Sequence, residues 1–259
     1  MRRREFLSFV GGATAWPFAV GGAKSTDAVV APASWPNAST TGVPAGTAVT
    51  TVNGDLNSNS DGQIIEERNV SGTIVVRHPG VTIRNCRAKN ITINAPNVTI
   101  EDCGVVGGDS NSGIGILGGN GATIQRCDIS GTENGIWLES NGCLIQDNYF
   151  HDLADPGNPD PHVDGVQIPG DTPHVSDNII RHNNFALARE VSSCITMKDA
   201  TNISIDRNRL NGGSYIIYFE GNTTGCTVTN NVLGQYVFGV FNGAAGRAQT
   251  YTGNTFERG

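Results

Sequence analysis

The sequence predicts an all-β, single-domain parallel β-helix. Three observations carry that expectation: a six-residue strand motif that recurs eight times, a second strand motif that follows it in the later repeats, and a composition made for tight turns. The 259 residues include 34 Gly and 26 Asn, and only 16% are charged. Gly and Asn tolerate left-handed backbone, and Asn bonds its own neighbours in turns. No long run of apolar residues at helical period competes with this reading.

The first motif ends at Cys86, Cys103, Cys127, Asn148, Asn183, Asn208, Asn231 and Asn254, and its early copies read Val-Thr-Ile-x-x-Cys. Successive ends lie 17, 24, 21, 35, 25, 23 and 23 residues apart, the period of a solenoid coil. The second motif spans Gly113–Leu117, Gly135–Glu139, Gly165–Pro169, Cys194–Lys198, Ile216–Glu220 and Gly239–Gly243. Period-two alternation turns Ile114/Ile116, Ile136/Leu138, Val166/Ile168, Ile195/Met197 and Ile217/Phe219 inward. Coils stacked at ~4.8 Å then share a continuous aliphatic core. An Asn at the end of each motif can bond the backbone of the next coil, and a Cys is small and apolar enough for the same slot. The expected result is about eight coils joined by a Cys/Asn turn ladder.

Read from the start, residues 1–23 have the order of a twin-arginine export signal. Arg2, Arg3, Arg4, Phe6 and Leu7 begin it, a Gly/Ala-rich apolar stretch runs to about Val20, and Gly21, Gly22 and Ala23 offer a cleavage site. That stretch is too short for a good membrane span. The expected localisation is periplasmic or extracellular, with no membrane contact after signal removal. Residues 24–60, rich in Ala, Ser, Thr, Pro and Asn, read as a linker and N-terminal cap, and residues 61–259 as the β-helix. The net charge of −7 leaves no footprint for nucleic acid. Six cysteines without a C-x-x-C pair argue against zinc, and Cys86, Cys103 and Cys127 should stack as buried ladder thiols.

Together, the ladder positions, the G-I-x-Ψ strands and the V-T-I-x-x-N strands resemble the pectin-lyase-like superfamily over roughly residues 60–256, which implies a right-handed parallel β-helix. Within it, His162-Val-Asp164-Gly165 resembles the N-T-D-G segment of polygalacturonases. One coil on, Ser192-Ser193-Cys194-Ile195 through Lys198 resembles their D-D-C-I-A-I-K segment, and Gly212-Gly213-Ser214 stands where they carry G-G-H-G. Asp164 is kept, but the paired Asp are Ser192 and Ser193, and the His position is Ser214. The resemblance therefore locates a groove and argues against that family's inverting chemistry, which needs an acid and a base carboxylate.

The 35-residue spacing between Asn148 and Asn183 marks an insertion over residues 151–165 that holds His151, His162, Asp152, Asp155, Asp160 and Asp164. Polar loops on a rigid solenoid are favoured places for function. Beside it, alternation aligns Trp137, Gln167, Thr196, Tyr218 and Phe241 in one outward column, with Glu139, Pro169, Lys198, Glu220 and Gly243 in the next. Aromatic faces on an outer sheet suit sugar rings. The stacked turns are expected to bring Asp164, Lys198 and Tyr218 onto one wall. The expected partner is an acidic polysaccharide and the expected reaction β-elimination at a uronate. His162 would be the base, Lys198 a base or neutralising cation, and Tyr218 the proton donor to the leaving oxygen. Trp137, Glu139, Gln167, Arg181, Arg189 and Phe241 are candidate substrate contacts, with Arg207 a further carboxylate grip. Two alternatives stand beside this: a glycosidase using Asp164 with Glu190 or Glu220, and a non-catalytic glycan-binding β-helix. No cofactor is firmly implied. Ca²⁺ on Asp160, Asp164 and Glu220 is possible, though no calcium-loop spacing is present. Oligomerisation is left open.

Overall fold

The computed structural model describes residues 34–108, 111–154, 162–170, 174–242 and 248–257. The expected signal at 1–23, the start of the linker, and Asp155, Asp160 and Gly243 lie outside the described residues. The described residues form 28 strands and no helix. The strands build three parallel sheets of ten, nine and nine members, and the chain visits the three in turn on every coil. The first sheet runs from Thr50–Val52 to Thr255–Phe256, the second from Leu56–Asn57 to Gly239–Asn242, and the third from Ile64–Glu66 to Ala248–Thr252.

Register fixes the core. In the third sheet Ile83, Ile100, Ile124, Ile145, Ile180, Ile205 and Val228 pair in sequence and are fully buried. In the second, Ile91, Ile114, Ile136, Val166, Ile195 and Ile217 do the same. Branched side chains at inward positions pack coil on coil, so each coil is completed by its neighbours.

The turn ladder forms. Asn148, Asn183, Asn208, Asn231 and Asn254 each accept, on Oδ1, the backbone N–H of the preceding ladder residue at 2.8–3.0 Å. Each donates Nδ2 to a carbonyl of the preceding coil. Cys86, Cys103 and Cys127 stack in the same column as buried free thiols. Just before each ladder slot the backbone is left-handed, and Gly is not its usual occupant. Glu67, Asn85, Asp102, Arg126, Asp147, His182, Arg207 and Asn230 hold φ between 50° and 58°. Glu67 reveals a ninth coil, which the repeat misses because Arg68 stands at its Cys/Asn position.

Of the segment expected as linker and N-terminal cap, the structure describes residues 34–60. Thr50–Val52 and Leu56–Asn57 are strands already paired to the next coil. Before them, residues 35–42 run along the outside of the coils. Asn184 donates Nδ2 to the Pro36 carbonyl at 2.8 Å, Trp35 lies 5.7 Å from the His182 ring, and Gly42 donates its N–H to the Arg126 carbonyl at 2.9 Å. Pro and Asn residues here give a strap across the flank of the coils.

Candidate functional site

A cleft of ≈ 320 Å³ opens on the second sheet. Its strands Asp164–Ile168, Ser193–Lys198 and Tyr215–Glu220 contribute Asp164, Gln167, Thr196, Tyr218 and Glu220. The turns entering those strands contribute His162, Glu190, Ser192 and Ser214. Register puts Gln167 beside Thr196 and Thr196 beside Tyr218.

Asp164 is the chemically unusual member. It shares parity with the core residues Val166 and Ile168, so its side chain is only 2% exposed. Ser193 Oγ donates to its Oδ1 at 2.5 Å and Thr196 Oγ1 to the same oxygen at 2.9 Å. Burial pushes the carboxyl up to about 6. The two hydroxyl donors and the nearby His162 pull it down, and the charge of Glu220 pushes it further up. Tyr218 is also raised by burial, with Tyr215, Asp164 and Glu220 adding to the effect. Tyr215 packs edge-on against Tyr218 at 5.3 Å and lies 5.6 Å from Phe238, an exposed aromatic rim beside the cleft.

Residues 51–233 match the family described as the right handed beta helix region. The chain belongs to the right-handed β-helix family. Among solved β-helix structures, two point mutants of the tailspike protein of E. coli bacteriophage HK620, each in complex with a pentasaccharide, match it. Their TM-scores are 0.58 and 0.59 at 12% and 11% identity, over 78% of this chain and 44% of theirs. The A-module of a mannuronan C-5 epimerase of Azotobacter vinelandii gives 0.48 at 14% identity, over 82% of this chain and 59% of that one. The chain spans less than half the length of the tailspike chains it matches. No curated protein sequence matches it.

Of the residues singled out in the sequence, His162, Asp164, Gln167, Glu190, Tyr218 and Glu220 line this cleft. Lys198 pairs in register with Glu220 but does not line the cleft, so the expected shared wall is incomplete. Trp137 sits beside Gln167 one coil away, and its Nε1 donates to Glu139 Oε1 at 2.6 Å. Phe241 leaves the outward column. It pairs with Ile217 and packs on Phe219 at 5.4 Å, because the last strand is out of step by one residue and puts Asn242 beside Tyr218. Arg181 belongs to the third sheet, on another face of the β-helix, where its Nε donates to Gln146 Oε1 at 2.9 Å. Arg207 follows the third-sheet strand Ser204–Asp206 and pairs with Asp206. Arg189 lies outside the lining and donates to the Tyr236 carbonyl at 3.0 Å. Sequence reasoning missed the roles of Ser193 and Thr196 as donors to Asp164. Among the described residues no group of three His, Cys, Asp or Glu side chains is placed to hold a metal ion.

Proposed function

We propose that the protein is an exported carbohydrate-active enzyme that hydrolyses a glycosidic bond in a polysaccharide, with Asp164 as general acid and Glu220 as its partner carboxylate. One observation carries this reading: a desolvated carboxyl, held near 6, shares a cleft with an exposed carboxylate that pushes it further up. A buried carboxyl raised toward the range of a general acid, with a second carboxyl in the same cleft, is what acid-assisted glycoside cleavage requires. Trp137, Gln167 and Tyr218, aligned over neighbouring coils, offer a surface for a sugar chain. The pentasaccharide-bound tailspike proteins support a glycan as the ligand class.

The β-elimination expected from sequence fits less well. His162 and Tyr218 are in the cleft, but among the described residues its lining carries no Lys or Arg to face a uronate carboxylate, and it does carry Asp164, Glu190 and Glu220. A neutral stretch of glycan suits that lining better.

The test is incubation of the purified protein with neutral and uronate polysaccharides, reading new reducing ends and unsaturated products separately. Hydrolysis predicts reducing ends without the unsaturated chromophore, lost in Asp164→Asn and Glu220→Gln with binding retained. Unsaturated product from a uronate polymer would restore β-elimination, and binding without any product would make this a glycan-binding β-helix. Export is tested by Arg3→Lys with Arg4→Lys, which should leave the protein in the cytoplasm.

A further inference from the structure

The second-sheet strands open on a polar column that the proposed reaction leaves partly unused. Asn134 stands in register with Asp164 on the next coil, and Asp164 with Ser193 on the one after. Residues paired on adjacent strands point to the same face, with Cβ atoms ~5 Å apart. Asn134 is 2% exposed, and its Oδ1 lies out of solvent with no donor. A buried acceptor left without a donor destabilises the site that holds it. On the facing carboxyl, the donors Ser193 and Thr196 both converge on Oδ1. Neither serves Oδ2, which is therefore the oxygen suited to carry a proton. An ionised Asp164 would present Asn134 Oδ1 with another acceptor, whereas a protonated one presents a donor.

We propose that Asn134 is a positioning residue whose Oδ1 accepts the carboxyl proton of Asp164, holding Asp164 in the acid form from which a leaving group is protonated. This rests on the reading of Asp164 as general acid. It completes both partners at once: the orphaned acceptor gains its donor, and the buried carboxyl avoids a charge. Other ionisable neighbours of the carboxyl act alongside. His162 opposes the acid form and Glu220 favours it, while Tyr218 and the buried Cys194 feel its charge. Glu133, next to Asn134 in the chain, accepts the His162 backbone N–H at 3.1 Å.

Carbon-13 NMR of the full chain, labelled at Asp and Asn side chains, reads the contact without substrate. In the unsubstituted protein the Asn134 side-chain carbonyl is expected to titrate together with Asp164, near 6. Asn134→Leu removes the acceptor, and the Asp164 pKa falls to about 5, taking the high-pH limb of the activity profile down with it. Asn134→Asp places two carboxyls against one proton, and the pair titrates in two well-separated steps. The proposal is overturned by an Asn134 carbonyl that ignores the Asp164 titration, or by an Asp164 pKa that stays or rises in Asn134→Leu. The titration needs no turnover, so linked Asn134 and Asp164 signals with no glycan cleaved would sink the hydrolase reading alone.

Discussion

Asp164 weakens the fold that holds it. Its carboxyl titrates near 6 rather than 3.8 because burial disfavours the charge. Between about pH 4 and pH 6 the folded protein therefore holds more protons than the unfolded chain, and stability falls as pH rises through that window. A rise of this size corresponds to about 3 kcal/mol missing at neutral pH. Asp164→Asn keeps an acceptor for Ser193 and Thr196 and removes the charge. Urea unfolding should find the variant more stable by up to about 3 kcal/mol at pH 7 and nearly unchanged at pH 4. Its turnover should drop by about 10²-fold or more. An equal change at both pH values would mean that the carboxyl is not desolvated. Because the acid form is the working one, wild-type kcat should decline above about pH 6. The segment around Asp164 was legible through its likeness to a polygalacturonase strand. Its burial was also written in the sequence, since Asp164 has the parity of Val166 and Ile168. What the pattern could not show is that the corner before the strand lets this inward residue reach the cleft.

Glycine at the head of the second-sheet strands shows what a repeat can tell and what it cannot. The G-I-x-Ψ pattern located Gly135 and Gly165 but gave no reason for them. A Cβ on Gly135 would lie 2.6 Å from the Gly165 carbonyl oxygen and 2.7 Å from the Phe150 ring. One on Gly165 would lie 2.5 Å from both the Cys194 oxygen and the Phe185 ring. Phe150 and Phe185, stacked at 4.5 Å in the neighbouring sheet, fill the space that side chains would need. Gly135→Ala should therefore destabilise by about 1–3 kcal/mol in thermal or urea unfolding, and unaltered stability would show that both the Phe pair and the Gly165 backbone can step aside. The ladder was more legible, because one column accepts only a small choice of side chains, Asn or Cys at all eight motif ends. Asn183 accepts from the Asn148 backbone and side chain and donates to the Ile145 carbonyl, all at 3.0 Å. Asn183→Ala strands buried backbone groups and should cost about 2–5 kcal/mol. Asn183→Cys should cost less, since Cys127 fills the equivalent slot. The reverse order would deny that the two residue types are interchangeable there. Phe241 was misplaced because alternation fixes facing within a strand but does not show a one-residue slip at the last coil. Arg181 was legible as distant, since it belongs to the motif ending at Asn183 and not to the second-sheet motif that lines the cleft.

At the scale of the whole molecule, stability in a solenoid is a sum of coils and the interfaces between them, so opening can begin at the ends. The two ends differ. Among the described residues, the last second-sheet strand Gly239–Asn242 is only half-buried, and Tyr251 and Phe256 are exposed at 44% and 56%. The middle coils carry an extra clamp, the strap that ties the coil of Asn184 to that of Arg126. The six thiols are spread through this gradient, all buried and unpaired. Burial pushes Cys127 up to about 12 and Cys143 to about 11, so reaction with a thiol reagent near pH 8 requires the coil around each to open. Cys226 lies on the strand that pairs directly with the last third-sheet strand, Ala248–Thr252, and Cys86 lies toward the N-terminal end. In urea below the main transition, residue-resolved labelling should therefore reach Cys226 first and Cys86 later. Cys127 and Cys143, within or beside the strapped coils, should label last, at the rate of global unfolding. Equal rates at all six positions would mean that the coils open as one cooperative unit. Strap removal by deleting residues 34–42 should then leave that pattern unchanged, whereas in a graded solenoid it should bring Cys127 and Cys143 forward while Cys226 keeps its rate.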